Sequence, residues 1–294
     1  MAAKPHSKKG AITTPAATVA IQGERGSFSE EAAYALLGPS ARVTPLESFA
    51  LIFRSAADGR TRYCLAPIEN TLAGSVYENY DLLLEHDLHI VAEVNLRIVH
   101  NLIAFPPTTL RNLRHVYSHP VALAQCGNFF KQHAGVEKIA FYDTAGSVKM
   151  LSEKRLPFAA AIASRTAAKV YSGRILQTHL EDHRENYTRF LLLSRQPRVT
   201  PRCNKVSIVF STPNAPGALF KCLSVFALRE IDLSKMESRP LRGRPWEYFF
   251  YLDFYGSLTE TRCAKALDHL REIANFMRVL GCYPSGEREE PRNA

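Results

Sequence analysis

Between Val19 and about Arg195, short apolar runs alternate with amphipathic segments, the pattern of strands layered against helices. Thr18 to Gln22, Tyr63 to Ala66, His115 to Tyr117 and Ile139 to Tyr142 are the predicted strands. Ser27 and Glu30 form an S-x-x-E capping box at the start of a helix with Phe28, Ala32, Ala35 and Leu36 on one side. Val76, Tyr80, Leu83 and Leu84 repeat the pattern in a second helix, and Leu123, Cys126 and Phe130 in a third. These elements predict an α/β unit with helices on both faces of its sheet.

The rhythm breaks at Gln196-Pro197-Arg198-Val199-Thr200-Pro201-Arg202, where two prolines among polar residues make a linker, taken as 197–203. Beyond it the pattern is strand Val206 to Ser211, helix Pro216 to Arg229, strand Ile231 to Ser238, strand Trp246 to Tyr255, helix Thr259 to Ala274, strand Phe276 to Cys282. Leu219, Cys222, Leu223 and Phe226 give the first helix its apolar stripe; Cys263, Leu267, Leu270 and Ala274 serve the second. The order βαββαβ is ferredoxin-like. The expected organisation is a disordered tail over 1–17, a first domain over 18–196, and a second over 204–286.

Composition narrows the picture. With 46% hydrophobic and 22% charged residues, 294 residues suffice for a full core in each domain. The six cysteines (Cys64, Cys126, Cys203, Cys222, Cys263, Cys282) form no C-x-x-C pair and sit mostly in apolar segments, so a reducing, cytoplasmic location is expected. The first eighteen residues carry Lys4, Lys8 and Lys9 but lack the apolar core of an export signal, and no run approaches a membrane span. The formal charge of +9 is dispersed, without a nucleic-acid-binding motif, and suits a small polyanionic substrate.

Five polar motifs stand where strands give way to helices or close the unit. Gly23-Glu24-Arg25-Gly26-Ser27-Phe28-Ser29-Glu30 is a strand-to-helix turn whose free N–H groups can bind a carboxylate; it lacks the third glycine and later acid of a dinucleotide site. Ala66-Pro67-Ile68-Glu69-Asn70-Thr71 follows a buried strand, where an Asn commonly serves a turn or cap. In Tyr117-Ser118-His119-Pro120-Val121-Ala122-Leu123-Ala124-Gln125-Cys126, Pro120 suits a first helical position and leaves Ser118 and His119 at the helix mouth. Asp143-Thr144-Ala145-Gly146 again offers a hydroxyl at a helix start, which capping alone would explain. In Glu185-Asn186-Tyr187-Thr188-Arg189-Phe190, Thr188 on propensity alone is a strand residue. Arg189 could clamp a substrate carboxylate or form an ion pair with Glu181, Asp182 or Glu185.

In this order and together, the motifs resemble the prephenate dehydratase family over nearly the whole chain. The resemblance implies a two-lobed, solute-binding-protein-like catalytic domain followed by an ACT regulatory domain. The implied reaction decarboxylates and dehydrates prephenate to phenylpyruvate, with no metal or organic cofactor. It assigns the catalytic role to Thr188 and substrate contacts to Ser27, Asn70, Thr71, Ser118, Thr144 and Arg189. Gly217, Ala218 and Leu219 with Glu237 and Ser238 resemble the family's phenylalanine site, which forms between subunits and so implies a homodimer or homotetramer. Val121 departs from the family's usual Gln, and Thr71 from its usual Ser. The short stretch before Val19 leaves no room for chorismate mutase helices, so a monofunctional form is expected. Tyr77 to Leu84 and Leu88 to Val94 are similar to the plant-type branch, which keeps arogenate open as the substrate. A non-catalytic ligand-binding regulator is the alternative of another class.

Overall fold

In the computed structural model, the described residues are 17–241, 243–286 and, for the backbone, 288–289. The expected tail lies outside them except for Ala17. The first domain opens with β1 (Thr18–Gln22), α1 (Phe28–Leu37), β2 (Arg42–Leu46), α2 (Phe49–Ala57), β3 (Tyr63–Asn70), the short β4 (Gly74–Ser75), α3 (Tyr77–Glu85) and β5 (His89–Arg97). It continues with β6 (Asn101–Ala104), β7 (His115–Ser118), α4 (Pro120–Ala124), α5 (Gly127–Gln132), β8 (Glu137–Ala140), α6 (Thr144–Lys154), β9 (Ala159–Ala163), α7 (Arg165–Val170), β10 (Arg174–Gln177) and β11 (Tyr187–Ser194).

These strands divide into two sheets. One lobe has the order β5-β11-β3-β1-β2, with β1 parallel to β2 and β3 and with β11 antiparallel to β3 and β5. The other has the order β10-β6-β9-β7-β8. The chain crosses between lobes twice, after β5 and after β10, and the crossings run side by side: Ile98 N–H donates to the Asn186 carbonyl at 2.7 Å and Leu180 N–H to the His100 carbonyl at 3.0 Å. A two-lobed unit joined by two crossings follows from strand order alone.

Residues 195–204 carry no helix or strand. Then come β12 (Lys205–Ser211), α8 (Ala218–Ala227), β13 (Leu233–Pro240), β14 (Tyr248–Tyr255), α9 (Thr261–Ile273), β15 (Phe276–Tyr283) and the short β16 (Arg288–Glu289). The sheet order β13-β14-β12-β15 completes the ferredoxin-like unit. Its helices cover one face through Cys222, Val225, Phe226, Ala266, Leu267 and Leu270. The other face adds Val209, Tyr251, Leu280 and Tyr283 to the core of the first lobe, beside Tyr80, Leu83 and Ile90.

The two units also share a sheet, which nothing in the apolar pattern predicted. β15 meets β5 in parallel at Gly281 and Ile90, and a Cβ on Gly281 would run into the Ile90 carbonyl. Glycine permits that approach. The predicted third helix is likewise interrupted: α4 ends at Ala124, capped by Gln125, and α5 restarts at Gly127, where Asp182 accepts the Gly127 and Asn128 N–H groups, both at 2.9 Å. A carboxylate on free helix-start donors stabilises this break.

Candidate active site

Asn70 ends β3 and Thr188 stands opposite it near the start of β11. Asn70 Nδ2 donates to Thr188 Oγ1 at 2.9 Å, to Asn186 Oδ1 at 2.8 Å and to the Tyr187 carbonyl at 3.1 Å. Its Oδ1 accepts the N–H groups of Leu72 and Ala73 at 3.0 and 2.8 Å in the turn leading to β4. Two backbone donors on one atom identify it as the oxygen and lock the amide. Because Asn70 occupies an acceptor position on Thr188, the hydroxyl proton is turned toward some other acceptor. Thr188 is thereby prepared as a donor, with its O–H polarised by the bond it receives.

The second lobe reaches this pair through Gln125, at the break after α4. Gln125 Oε1 accepts from Asn186 Nδ2 at 3.0 Å and meets His100 Nε2 at 2.9 Å; its Nε2 donates to Asn70 Oδ1 at 3.3 Å. An amide oxygen only accepts, so His100 carries its proton on Nε2. Burial lowers the His100 pKa, partly offset by Gln125 and Glu181, and keeps the ring neutral. Its backbone N–H donates to Glu181 Oε2 at 2.9 Å, while His100 Nδ1 and Glu181 Oε1 are buried without hydrogen-bond partners among the described residues. Asn186 and His100 lie on the two crossings. The polar cluster therefore sits at the hinge and touches both lobes.

At the rim, Glu24 from the first lobe accepts Lys149 Nζ on both oxygens at 3.0 Å and the Tyr142 hydroxyl at 3.0 Å. Asp143 caps α6 by accepting Gly146 N–H at 2.6 Å; burial, with nearby Glu24, raises its pKa although the cap bond opposes this. Gly26, at φ +81°, lies so close to the second lobe that a Cβ would stand 2.6 Å from Ala167 Cα. Its carbonyl accepts Ser164 Oγ at 2.6 Å.

The predicted site residues divide. Asn70 and Thr188 are together, and Thr144 is half-buried in the first turn of α6. Ser27 is buried as the α1 cap, accepting Glu30 N–H at 3.3 Å, while the Glu30 carboxylate returns to Gly26 N–H at 2.5 Å, one residue earlier than the motif implies. Thr71 spends its hydroxyl on the Glu185 carbonyl at 2.7 Å, and Ser118 is fully buried, donating to the Ile162 carbonyl at 2.6 Å. Ser118 acts here as a brace of the backbone rather than as a group facing an open cleft, whereas Thr71 braces the Glu185–Tyr187 backbone from an exposed position next to Asn70.

Arg189 requires the largest correction. Strand alternation turns it away from the Thr188 face, and it is buried between the two units. Nε donates to Glu93 at 2.7 Å, Nη1 to Asp253 at 2.6 Å and Nη2 to the Tyr283 hydroxyl at 3.0 Å. Lys205 Nζ meets Glu93 at 3.0 Å, and Ser207 Oγ donates to Asp253 at 2.5 Å. Burial depresses the guanidinium pKa, but Asp253, Tyr283 and Glu93 outweigh it and leave it well above its ordinary value. Neither proposed role fits: the clamp faces the wrong way, and the ion-pair partners are Glu93 and Asp253, distant in sequence.

In the second unit, Gly217 precedes α8 and is exposed, with Ala218 and Leu219 half-buried behind it. Glu237 and Ser238 alternate on β13: Ser238 is exposed, whereas Glu237 turns inward to accept the Ser75 hydroxyl. Of the two residues expected at the phenylalanine site from this motif, Ser238 is therefore on the outward face of β13 and Glu237 on the inward one, because successive strand residues point to opposite faces. Sequence reasoning missed Gln125, Asn186 and His100. The first two lay inside the quoted motifs as amides beside assigned residues; His100 carried no local signal. A cavity of about 600 Å³, lined by Thr18, Arg62, Tyr63, Arg195 and Arg198, lies at the far ends of β3 and β11 from Asn70 and Thr188. The hinge cluster, rather than this cavity, sits at the carboxyl ends of the parallel strands, the ligand position in open α/β sheets.

Comparison with known proteins matches residues 19–198 to the family model for prephenate dehydratase. An Arabidopsis thaliana relative, arogenate dehydratase/prephenate dehydratase 2, is 46% identical over 277 residues, covering 90% of this chain and 72% of its own. The structure of prephenate dehydratase from Arthrobacter aurescens in complex with L-Phe superposes with a TM-score of 0.85 at 30% identity, covering 94% of this chain and 93% of that one. A structure described as a quorum-quenching acylase superposes with a TM-score of 0.84 at 32% identity, covering 92% and 98%. The expectation of a cytoplasmic location is overturned: that Arabidopsis relative and two others from the same plant, at 42% and 41% identity, are chloroplastic.

Proposed function

The chain belongs to the prephenate dehydratase family, and from that premise we propose that Thr188 and Asn70 drive loss of CO2 and hydroxide from prephenate, or from its amino counterpart arogenate. In this carbon–oxygen lyase reaction the bond to the leaving carboxylate breaks, its electron pair enters the ring, and the ring hydroxyl departs and takes a proton to become water. Aromatisation supplies the driving force. The difficult element is charge on the departing oxygen, and a hydrogen bond that strengthens as this charge grows lowers the barrier.

The observation that carries the reading is the 2.9 Å bond from Asn70 Nδ2 to Thr188 Oγ1. It spends an acceptor site of the hydroxyl and frees its proton for the leaving group. An acylase mechanism would instead need a base to remove that proton from a nucleophile; a neutral amide that donates to the oxygen favours the dehydratase. Gln125 and Asn186 hold Asn70 from the hinge, so lobe closure and donor alignment are linked. Thr144, half-buried in the first turn of α6 beside the Asp143 cap, would meet a substrate carboxylate through its hydroxyl, without dense positive charge. Carboxylate binding in this account does not involve Arg189.

Phenylalanine regulates the enzyme through the ferredoxin-like unit, with Gly217, Ala218, Leu219 and Ser238 as the candidate contacts in a homodimer or homotetramer. Support comes from the related structure with bound L-Phe. The decisive experiment assays the purified full chain on prephenate and on arogenate, with Thr188→Ala and Thr188→Ser. Thr188→Ala is expected to keep its fold and lose about a hundred- to a thousandfold in kcat, with Thr188→Ser retaining part. Near-normal turnover by folded Thr188→Ala refutes the assignment. Ligand binding without turnover of either substrate by the parent chain establishes the non-catalytic alternative.

A further inference from the structure

One strand of the ferredoxin-like unit grips the hairpin that carries Asn70. Along β13, Lys235, Glu237 and Arg239 are partly buried while Ser234, Met236 and Ser238 are exposed, the alternation of a strand with two different neighbours. The inward series lies against β3, β4 and α3. Lys235 Nζ meets Glu69 Oε2 at 3.1 Å, Ser75 Oγ at 3.4 Å and Glu237 Oε2 at 3.6 Å. Ser75 donates to Glu237. Arg239 donates from Nε and Nη2 to the two Asp81 oxygens at 3.1 and 2.9 Å, and its guanidinium lies 4.7 Å from the centre of the Tyr77 ring.

Glu69 and Ser75 are partners in the β3–β4 ladder, and the next pair is Asn70 with Gly74. The turn within this ladder supplies the Leu72 and Ala73 N–H groups that fix the Asn70 amide. Lys235 thus stands between two carboxylates, one on the hairpin and one on its own strand. Remove its charge, and Glu69 and Glu237 repel across a partly buried gap, pushing the hairpin from the strand.

We propose that Lys235 is a positioning residue for Asn70, and that the inward face of β13 transmits effector occupancy of the second unit to the hairpin. Strand residues move as a unit, so a ligand held on the outward side displaces Lys235 and Glu237 with it. A small displacement matters because Asn70 must stay within hydrogen-bond distance of Thr188. This inference rests on the dehydratase reading and on phenylalanine as the effector.

The test uses the full-length enzyme with Lys235→Met, Lys235→Arg and Glu69→Gln, the last removing the hairpin charge if Lys235→Met fails to fold. Phenylalanine affinity is measured by calorimetry and inhibition by steady-state kinetics. Parent enzyme should be inhibited at least about fivefold, the low end of ordinary coupling. Lys235→Met and Glu69→Gln should bind phenylalanine with Kd within about twofold of the parent, yet be inhibited less than about twofold, with a lower kcat and little change in KM. Lys235→Arg should restore inhibition. Undiminished inhibition of both charge-removing variants overturns the proposal. So does loss of phenylalanine binding by a folded variant, because Lys235 would then serve the effector itself, and so does an active parent indifferent to phenylalanine. A parent that dehydrates neither substrate refutes instead the reading on which the proposal rests.

Discussion

Replacing Arg189 by Met separates a substrate clamp from a buried strut. In the native protein Arg189 and Lys205 face Glu93 and Asp253, two cations against two anions in one buried cluster. Methionine fills much of the same space but leaves one carboxylate in excess, with Asp253 keeping only the Ser207 hydroxyl among its bonds to the cluster's polar side chains. Removing one partner of a buried pair costs about 3–5 kcal/mol. At about 2–4 °C per kcal/mol for a chain of this class, the melting temperature should fall by about 6–20 °C. Adding Asp253→Asn restores neutrality and should recover about 0.5–3 kcal/mol of the loss, the range of direct pairwise couplings. Because the guanidinium lies behind the strand, KM should stay near the parent value while kcat falls as Thr188 loses its support. Thermal melts and steady-state kinetics on both variants decide the matter. Unchanged stability with a raised KM would show that Arg189 reaches the substrate and that the buried orientation is wrong.

Two further outcomes follow from the hinge and the rim. The buried His100 imidazole has a lowered pKa, so its contribution to stability is present above its ordinary value of 6.5 and is lost as pH falls through the lower folded value. Thermal melts of His100→Gln should therefore show a flatter loss of stability than the parent between about pH 7 and pH 5; parallel profiles would refute a neutral buried His100. Gly26→Ala should destabilise the fold by at least about 1–2 kcal/mol from the left-handed backbone alone, and its Cβ, only 2.6 Å from Ala167 Cα, should spread the lobes and lower kcat/KM. Urea denaturation and kinetics test this together, and a neutral effect on both would show that the lobes are not held in this contact.

Much of the architecture was legible because it is local. Apolar runs located β1, β3, β7 and the four long strands of the second unit, Ser27 and Pro120 marked helix starts, and the prolines at 197 and 201 marked the turn out of the first unit; β2, β5, β6, β9 and β10 were not read, and β8 lies two residues earlier than expected. Helix and strand periods are properties of neighbouring residues, so a single chain carries them openly. The resemblance assigned Asn70 and Thr188 to one site, and the fold brings them within 2.9 Å although 118 positions separate them; neither residue alone distinguishes a turn or a strand from a site pair.

What the tertiary structure decided is where each side chain points and what charge it meets. Arg189 adjoins Thr188 in sequence but faces the other side of the strand, toward acids that lie 96 and 64 positions away. Glu237 and Ser238 are likewise neighbours with opposite outlooks. Gln125 acquires its role only because α4 stops there, and His100 and Asn186 only because two distant crossings run together at the hinge. Sequence by itself fixes which residues can bond. The pairing of strands and the packing of one unit on another fix which of them do, because hydrogen bonds and buried charges are satisfied across space rather than along the chain.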